Sequence, residues 1–127
     1  MVNLSLDTSI LIEYFRTDQG VLSTLLNHPS RLNFHLSIPI IVIFELFRGQ
    51  SAGQKLYQDR FAKLIASMSV INLSSRSAMV AGELHRQNIV LGNDALIAAI
   101  CLEYETRLCT LNQKDFKLVP NLILFHP

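Results

Sequence analysis

Apolar and polar residues alternate with two different periods along this chain, and the two periods predict strands followed by helices. At the start, the alternation from Val2 to Leu6 predicts a strand that ends at Asp7. The next residues, Thr8 and Ser9, can cap a helix, which the pattern extends to Arg16. The chain is therefore expected to begin with a strand–helix unit.

The same two periods continue to the end of the chain. Apolar residues at helical spacing predict helices at 21–26, 56–68, 75–86 and 94–105, with Ser74 or Ser75 as the cap of the third. Short apolar segments predict strands at 34–38, 70–73, 107–111 and 122–125. Five short strands separated mainly by helices are typical of the α/β class, in which a central parallel sheet carries helices on both faces.

The segment from Pro39 to Arg48 fits either element. Its β-branched residues favour a strand, whereas Pro39 suits the first turn of a helix and Gly49 suits its end. We interpret the segment as a helix. It carries Glu45 inside residues 40–47, which are otherwise apolar, so this carboxylate needs a partner: an arginine such as Arg48, a proton or a cation.

Composition limits the kind of protein. The chain has 127 residues, half of them apolar, which suffices for one hydrophobic core, so we expect a single domain over residues 1–127. The longest apolar run, 95–102, is too short to cross a membrane, and no Lys or Arg precedes Arg16 as a signal peptide requires. We therefore expect a cytoplasmic protein.

The charge balance by itself predicts no nucleic-acid partner, because 11 Lys and Arg face 10 Asp and Glu. That inference reverses if several acids gather on metal ions, since the remaining surface is then basic. Cys101, Cys109 and the four histidines lack the spacing of zinc ligands, and both cysteines are expected to be reduced core residues.

Four acidic residues occupy places where chemistry is expected in such a fold. Functional groups gather beyond the carboxyl ends of parallel strands, and both Asp7 and Asp115 follow predicted strands. Asp94 begins a predicted helix, and Glu45 interrupts an apolar one. Each also has a structural interpretation: Asp7 and Asp94 suit helix caps, Asp115 suits a polar turn, and Glu45 suits a salt bridge.

Taken together, the four acids predict a different chemistry. Clustered carboxylates repel one another, and a hard cation such as Mg²⁺ or Mn²⁺, which prefers oxygen ligands, relieves that repulsion. Such an ion neutralises a phosphoryl group and lowers the pKa of a bound water, which becomes a nucleophile. The reaction implied is hydrolysis of a phosphodiester bond.

An ordered set of motifs resembles a PIN domain of the VapC toxin type, over essentially the whole chain. The motifs are Leu6-Asp7-Thr8-Ser9, Glu45-Leu46 before Gly49, Asn93-Asp94-Ala95-Leu96-Ile97-Ala98-Ala99, and Thr110-Leu111-Asn112-Gln113-Lys114-Asp115-Phe116 followed by Val119-Pro120. The resemblance implies an α/β/α sandwich and a Mg²⁺- or Mn²⁺-dependent endoribonuclease that cleaves RNA, the toxin of a toxin–antitoxin pair. It also implies a homodimer inhibited by a VapB-like antitoxin, and we expect Phe44 and Phe47 to lie in the core or the dimer interface.

The resemblance also implies roles for individual residues. The family's metal-binding, catalytic acids fall on Asp7, Glu45 and Asp94. The hydroxyls of Ser9 and Thr110 fall on positions that support the site.

The fourth acid is open between two positions, because relatives place it either where this chain has Asn112 or where it has Asp115. A carboxylate supplies charge as well as an oxygen, whereas an amide supplies only the oxygen. We therefore predict Asp115 as the fourth catalytic and metal ligand. Asn112 is expected to hydrogen-bond to one of the metal ligands and orient it, without binding the metal itself.

Two other functions are compatible with parts of this pattern. A catalytically silent PIN-like module that binds RNA or protein carries the same acids. A phosphoacceptor receiver domain also has clustered acids on a parallel sheet, but the strand 70–73 is followed by Ser74 where an acceptor Asp is required. Arg16, Arg48 and Arg86 are the candidates for contact with phosphates.

Overall fold

The computed structural model describes residues 1–49 and 53–126, which form an α/β fold around one parallel sheet. The sheet has four strands in the order β3-β2-β1-β4, and every neighbouring pair is parallel. The strands are β1 (Val2–Leu6), β2 (Phe34–Pro39), β3 (Ser69–Ile71) and β4 (Arg107–Cys109). The helices are α1 (Thr8–Thr17), α2 (Val21–Leu26), α3 (Ile40–Arg48), α4 (Lys55–Ala66), α5 (Ser75–Arg86), α6 (Gly92–Glu103) and α7 (Gln113–Phe116). The predicted fold class is confirmed.

The segment from Pro39 to Arg48, which fitted either a strand or a helix, is helical from Ile40 onward, so the helical interpretation is confirmed. Pro39 is the last residue of β2 and, with φ −60° and ψ 138°, the N-cap of α3. Its missing N–H is no loss there, because the first N–H groups of a helix have no partner within it. The buried Val42 and Leu46 then lie one helical turn apart on the face of α3 that packs against the core.

The predicted helix caps have mixed outcomes. Ser74 caps α5: its hydroxyl accepts from the backbone N–H of Ser77 at 3.0 Å, and the Ser77 hydroxyl accepts from the Ser74 N–H at 2.9 Å. The expectation that Thr8 or Ser9 caps α1 is wrong. Thr8 is the first residue of that helix, and the N-cap is Asp7, whose side chain makes no capping hydrogen bond.

The fifth predicted strand is wrong. Residues 122–125 contact β4 through a single parallel bridge between Leu108 and Leu124. Leu108 donates to the carbonyl of Ile123 at 2.9 Å and accepts from the N–H of Phe125 at 2.8 Å, so one residue of β4 carries the pairing. A single bridge is not a strand, so residues 122–125 add no fifth strand to the sheet.

The core lies against the sheet and is closed by α6, whose residues Ile97–Cys101 are buried without interruption. A helix buried on all sides reads as a continuous apolar run, which explains residues 95–102. Within residues 1–49 and 53–126, no helix combines the length and apolar character needed to span a membrane.

Both cysteines are free and buried, as predicted, and burial raises the pKa of Cys101 to about 11 and that of Cys109 to about 12.

Candidate active site

An open cleft at the carboxyl ends of the two central strands collects most of the candidate residues. Asp7 follows β1, and the chain after β4 lies beside it, because β1 and β4 are neighbours in the sheet. α3, which follows β2, brings Glu45, and the first turn of α6 brings Asp94. The cleft has a volume of about 470 Å³ and is lined by Asp7, Thr8, Ser9, Ile12, Glu13, Arg16, Thr17, Glu45, Asp94, Leu111 and Asn112.

Asp7 is buried, with only 3% of its surface exposed, and two hydroxyl groups orient it. Its Oδ2 accepts from the Thr110 hydroxyl at 2.6 Å and from the Ser9 hydroxyl at 3.1 Å. Its backbone N–H donates to the carbonyl of Cys109 at 3.0 Å, which continues the pairing of β1 with β4. No cation pairs with Asp7 in the described part of the chain, so neutral donors alone hold this carboxylate.

The two hydroxyls are themselves fixed by the loop after β4. The Ser9 hydroxyl accepts from the N–H of Leu111, and the Thr110 hydroxyl accepts from the N–H of Asn112, each at 3.0 Å. A hydroxyl that accepts one bond and donates another has a defined direction. The first turn of α1 and the loop after β4 are thus tied together around Asp7.

Glu45 lines the same cleft and has two partners. The Thr8 hydroxyl donates to its Oε1 at 2.7 Å, and Nη2 of Arg48 contacts its Oε2 at 3.3 Å. The expected salt bridge with Arg48 is therefore present, but the Arg48 side chain is 56% exposed, and such pairs contribute little to stability. From its sequence position Thr8 was expected only to cap α1. The available signal was its position between two predicted site residues.

The pKa of Asp94 reflects the negative charge of the neighbouring carboxylates. Its pKa is raised from 3.8 to about 6, first by partial burial and then by the negative charges of Asp7, Glu45 and Asp115. The expectation of Asp94 as a helix cap is wrong, because the N-cap of α6 is Leu91 and Asp94 lies inside the first turn.

The two candidates for the fourth ligand lie differently. Asn112 lines the cleft itself. Asp115 is exposed on α7 and lines an adjoining depression with Leu111 and Asn112, and its charge is the smallest of the named contributions to the pKa of Asp94. The structure thus brings Asp7, Glu45 and Asp94 onto one cleft, with Asp115 at its margin.

The chemistry of these side chains suits a hard divalent cation, since all four acids offer carboxylate oxygens. Among the residues described, however, no group of three or more His, Cys, Asp or Glu is close enough to hold an ion unaided. Mg²⁺ is commonly bound through one or two carboxylates and several waters. Closely packed acidic triads are therefore not required of such a site.

Comparison with known proteins places this geometry in a family. The PIN domain family model matches residues 4–122. Ribonuclease VapC2 of Rickettsia felis is 34% identical over 100 residues, which is 72% of this chain and 74% of that protein. The crystal structure of VapBC2 from Rickettsia felis bound to a promoter DNA fragment matches with a TM-score of 0.82 and 27% identity, covering 98% of each chain. DNA-bound VapBC from Salmonella typhimurium has the same fold, with a TM-score of 0.82, 20% identity and 98% coverage of both chains. The chain belongs to the PIN domain family and is similar to its VapC members.

Proposed function

We propose that this protein is a metal-dependent endoribonuclease that hydrolyses RNA phosphodiester bonds, the toxin of a toxin–antitoxin pair. The observation that carries the proposal is the gathering of Asp7, Glu45 and Asp94 on one cleft, where the charges of the first two contribute to the raised pKa of the third. Perturbed acids in a cleft are typical of functional sites. The relative named Ribonuclease VapC2 supports RNA as the substrate.

Asp7, Glu45, Asp94 and Asp115 are the residues that would hold one or two Mg²⁺ or Mn²⁺ ions, each ion through one or two of these carboxylates and waters. When bound, the ion neutralises charge on the scissile phosphate and lowers the pKa of a water that can attack it. The chain's own contribution is orientation: Ser9 and Thr110 hold the Asp7 carboxylate, and Thr8 holds that of Glu45. Fixed ligands reduce the reorganisation needed when metal and substrate bind.

The proposed partners follow from the same resemblance. Structures similar to this chain are VapBC complexes, which supports a VapB-like antitoxin as its inhibitor. We further propose a homodimer, and a cytoplasmic location where substrate RNA is present.

The experiment compares cleavage of a labelled single-stranded RNA by the unaltered protein and by Asp7→Asn. With Mg²⁺ or Mn²⁺ the unaltered protein should cut and EDTA should stop it, while Asp7→Asn should reduce the rate by at least about 10³-fold. Asp59→Asn, an exposed acid on α4, is the matched control and should cut normally.

Two outcomes would contradict the proposal. If Asp7→Asn cuts as fast as the unaltered protein, a contaminating nuclease or another site is responsible, and the assignment of the acidic cleft fails. If the unaltered protein binds RNA but never cuts it with either metal, the protein is a silent binding module.

A further inference from the structure

The three arginines that were candidates for phosphate contact have different surroundings. Arg48 pairs with Glu45, and Arg86 pairs with Glu83. Arg16 is exposed and lines the cleft, and within residues 1–49 and 53–126 its guanidinium has no ion pair. Of the three, Arg16 alone combines a free charge with a place beside the acidic residues.

Arg16 reaches the cleft because one face of α1 forms its wall. Ser9, Ile12, Glu13 and Arg16 recur at helical spacing and all line the cleft. Since a helix rises 1.5 Å per residue, Arg16 lies roughly 10 Å along the axis from Ser9, which binds Asp7. Arg16 is therefore on the same wall of the cleft as Ser9, about two helical turns further along α1.

Glu13, one turn before Arg16, forms no ion pair with it within residues 1–49 and 53–126. The Oε1 atom of Glu13 accepts the backbone N–H of Val21 at 2.8 Å, at the start of α2. Its carboxylate is therefore engaged with a helix N-terminus, where negative charge is favoured. Arg16 is the one cation among the described residues that line the cleft.

We propose that Arg16 binds a backbone phosphate of the RNA beside the scissile one and so determines how the strand lies in the cleft. An acidic cleft repels the phosphates on either side of the cleavage point, and a guanidinium on its wall offsets that repulsion with paired donors. Phosphate contacts position a strand without reading its sequence, so Arg16 should act on all substrates alike. This inference rests on the proposed ribonuclease function.

The test measures binding separately from cleavage. The dissociation constant for a labelled single-stranded RNA is measured in Mg²⁺ buffer over a series of salt concentrations. The protein carries Asp7→Asn, alone or combined with Arg16→Gln, Arg16→Lys or the control Arg86→Gln. Arg16→Gln should weaken binding about tenfold and reduce the slope of log K against log salt by about 0.7, the value for one phosphate contact on a single strand. Arg16→Lys should restore the slope, because the charge is kept, but only part of the affinity.

Cleavage kinetics without Asp7→Asn supply the second readout. Arg16→Gln should raise KM about tenfold and change kcat less than about twofold, because it removes binding rather than chemistry. The inference is overturned if Arg16→Gln matches Arg86→Gln in affinity and salt slope. Failure of the unaltered protein to cut RNA would instead overturn the proposed function, so the two failures are distinguishable.

Discussion

The ionised carboxylate of Asp94 destabilises the metal-free folded protein. Burial and neighbouring carboxylates raise its pKa from 3.8 to about 6, so the folded protein binds the proton more tightly than the unfolded chain does. By linkage, the metal-free protein loses stability as the pH rises from about 4 to about 6. Above about pH 6 the loss of folding stability is complete. Because Asp94 is half-exposed and partly screened by solvent, the loss is about 1 kcal/mol.

We predict that Asp94→Asn raises the melting temperature of the metal-free protein by about 3–5 °C at pH 7.5 and hardly changes it at pH 4. The amide removes a charge that is present at the higher pH and already neutralised at the lower one. Thermal unfolding in EDTA measures this, with Asp59→Asn as the control. A stabilisation of equal size at both pH values would show that charge is not the cause.

The roles of Asn112 and Asp115 differ in charge as well as position. Although Asn112 lines the cleft and Asp115 lies at its margin, only Asp115 adds negative charge that reaches Asp94. We predict that Asp115→Asn weakens Mn²⁺ binding about tenfold, and that Asn112→Ala weakens it less. Calorimetric titration of Mn²⁺ into both variants measures this. The reverse order would make Asn112 the fourth ligand.

At the level of residues, the sequence indicated which acids lie near the cleft more fully than it indicated their hydrogen-bond partners. The resemblance implied that the hydroxyls of Ser9 and Thr110 support the site, and in the structure both donate hydrogen bonds to Asp7. The bond from Thr8 to Glu45 was not predicted, because it depends on how α1 and α3 are rotated about their axes. Apolar periodicity defines which face of a helix is buried, but not the direction of a polar side chain at the margin of that face.

Among the elements, the start of α2 depends on a glycine. Gly20 is its N-cap and has φ +92°, a conformation that residues with a side chain rarely adopt. A Cβ at this position would overlap the carboxylate of Glu13. That carboxylate accepts the N–H of Val21, so the close approach of Gly20 is part of how α1 and α2 are joined.

We predict that Gly20→Ala lowers the free energy of unfolding by about 1–2 kcal/mol, through backbone strain and displacement of Glu13. Gly82→Ala is the matched control: Gly82 lies inside α5 with nothing within 4 Å of an added Cβ. It should stabilise the protein by about 0.5–1 kcal/mol, since alanine favours a helix. Denaturant unfolding measures both. Equal and small effects would contradict the role assigned to Gly20.

The prediction of secondary-structure elements was correct where the apolar pattern was long. It was wrong where the element depended on pairing with another strand. Helix α3 followed from Pro39 and a buried stripe within its own sequence. The predicted strand at 122–125 has suitable residues, but a strand needs pairing along a partner edge, and only one bridge to β4 forms. Pairing partners are distant in sequence, so local patterns do not reveal the length of the edge.

At the scale of the whole molecule, the outer face of α3 exposes large apolar side chains that a single copy of the chain does not bury. Phe44 is 57% exposed, Phe47 is 42% exposed and Ile40 is 37% exposed. The expectation that Phe44 and Phe47 lie in the core is therefore wrong, and the interface alternative stays a prediction. Phe47 packs on Phe61 with ring centroids 5.5 Å apart. Contiguous exposed apolar surface is typical of contacts between subunits.

We predict a homodimer in which Phe44 is buried between two copies of the chain. Light scattering at micromolar concentration should give twice the mass of one chain. Phe44→Asp should shift the protein to the monomer, because burying an unpaired charge in an apolar contact costs several kcal/mol. The control is Leu118→Asp, since Leu118 is 69% exposed and lies outside α3. It should stay dimeric, and both variants should keep their helical circular dichroism. A stable monomer of the unaltered protein would contradict the dimer and leave the chemistry of the cleft untouched, because each acidic residue of that cleft comes from one chain.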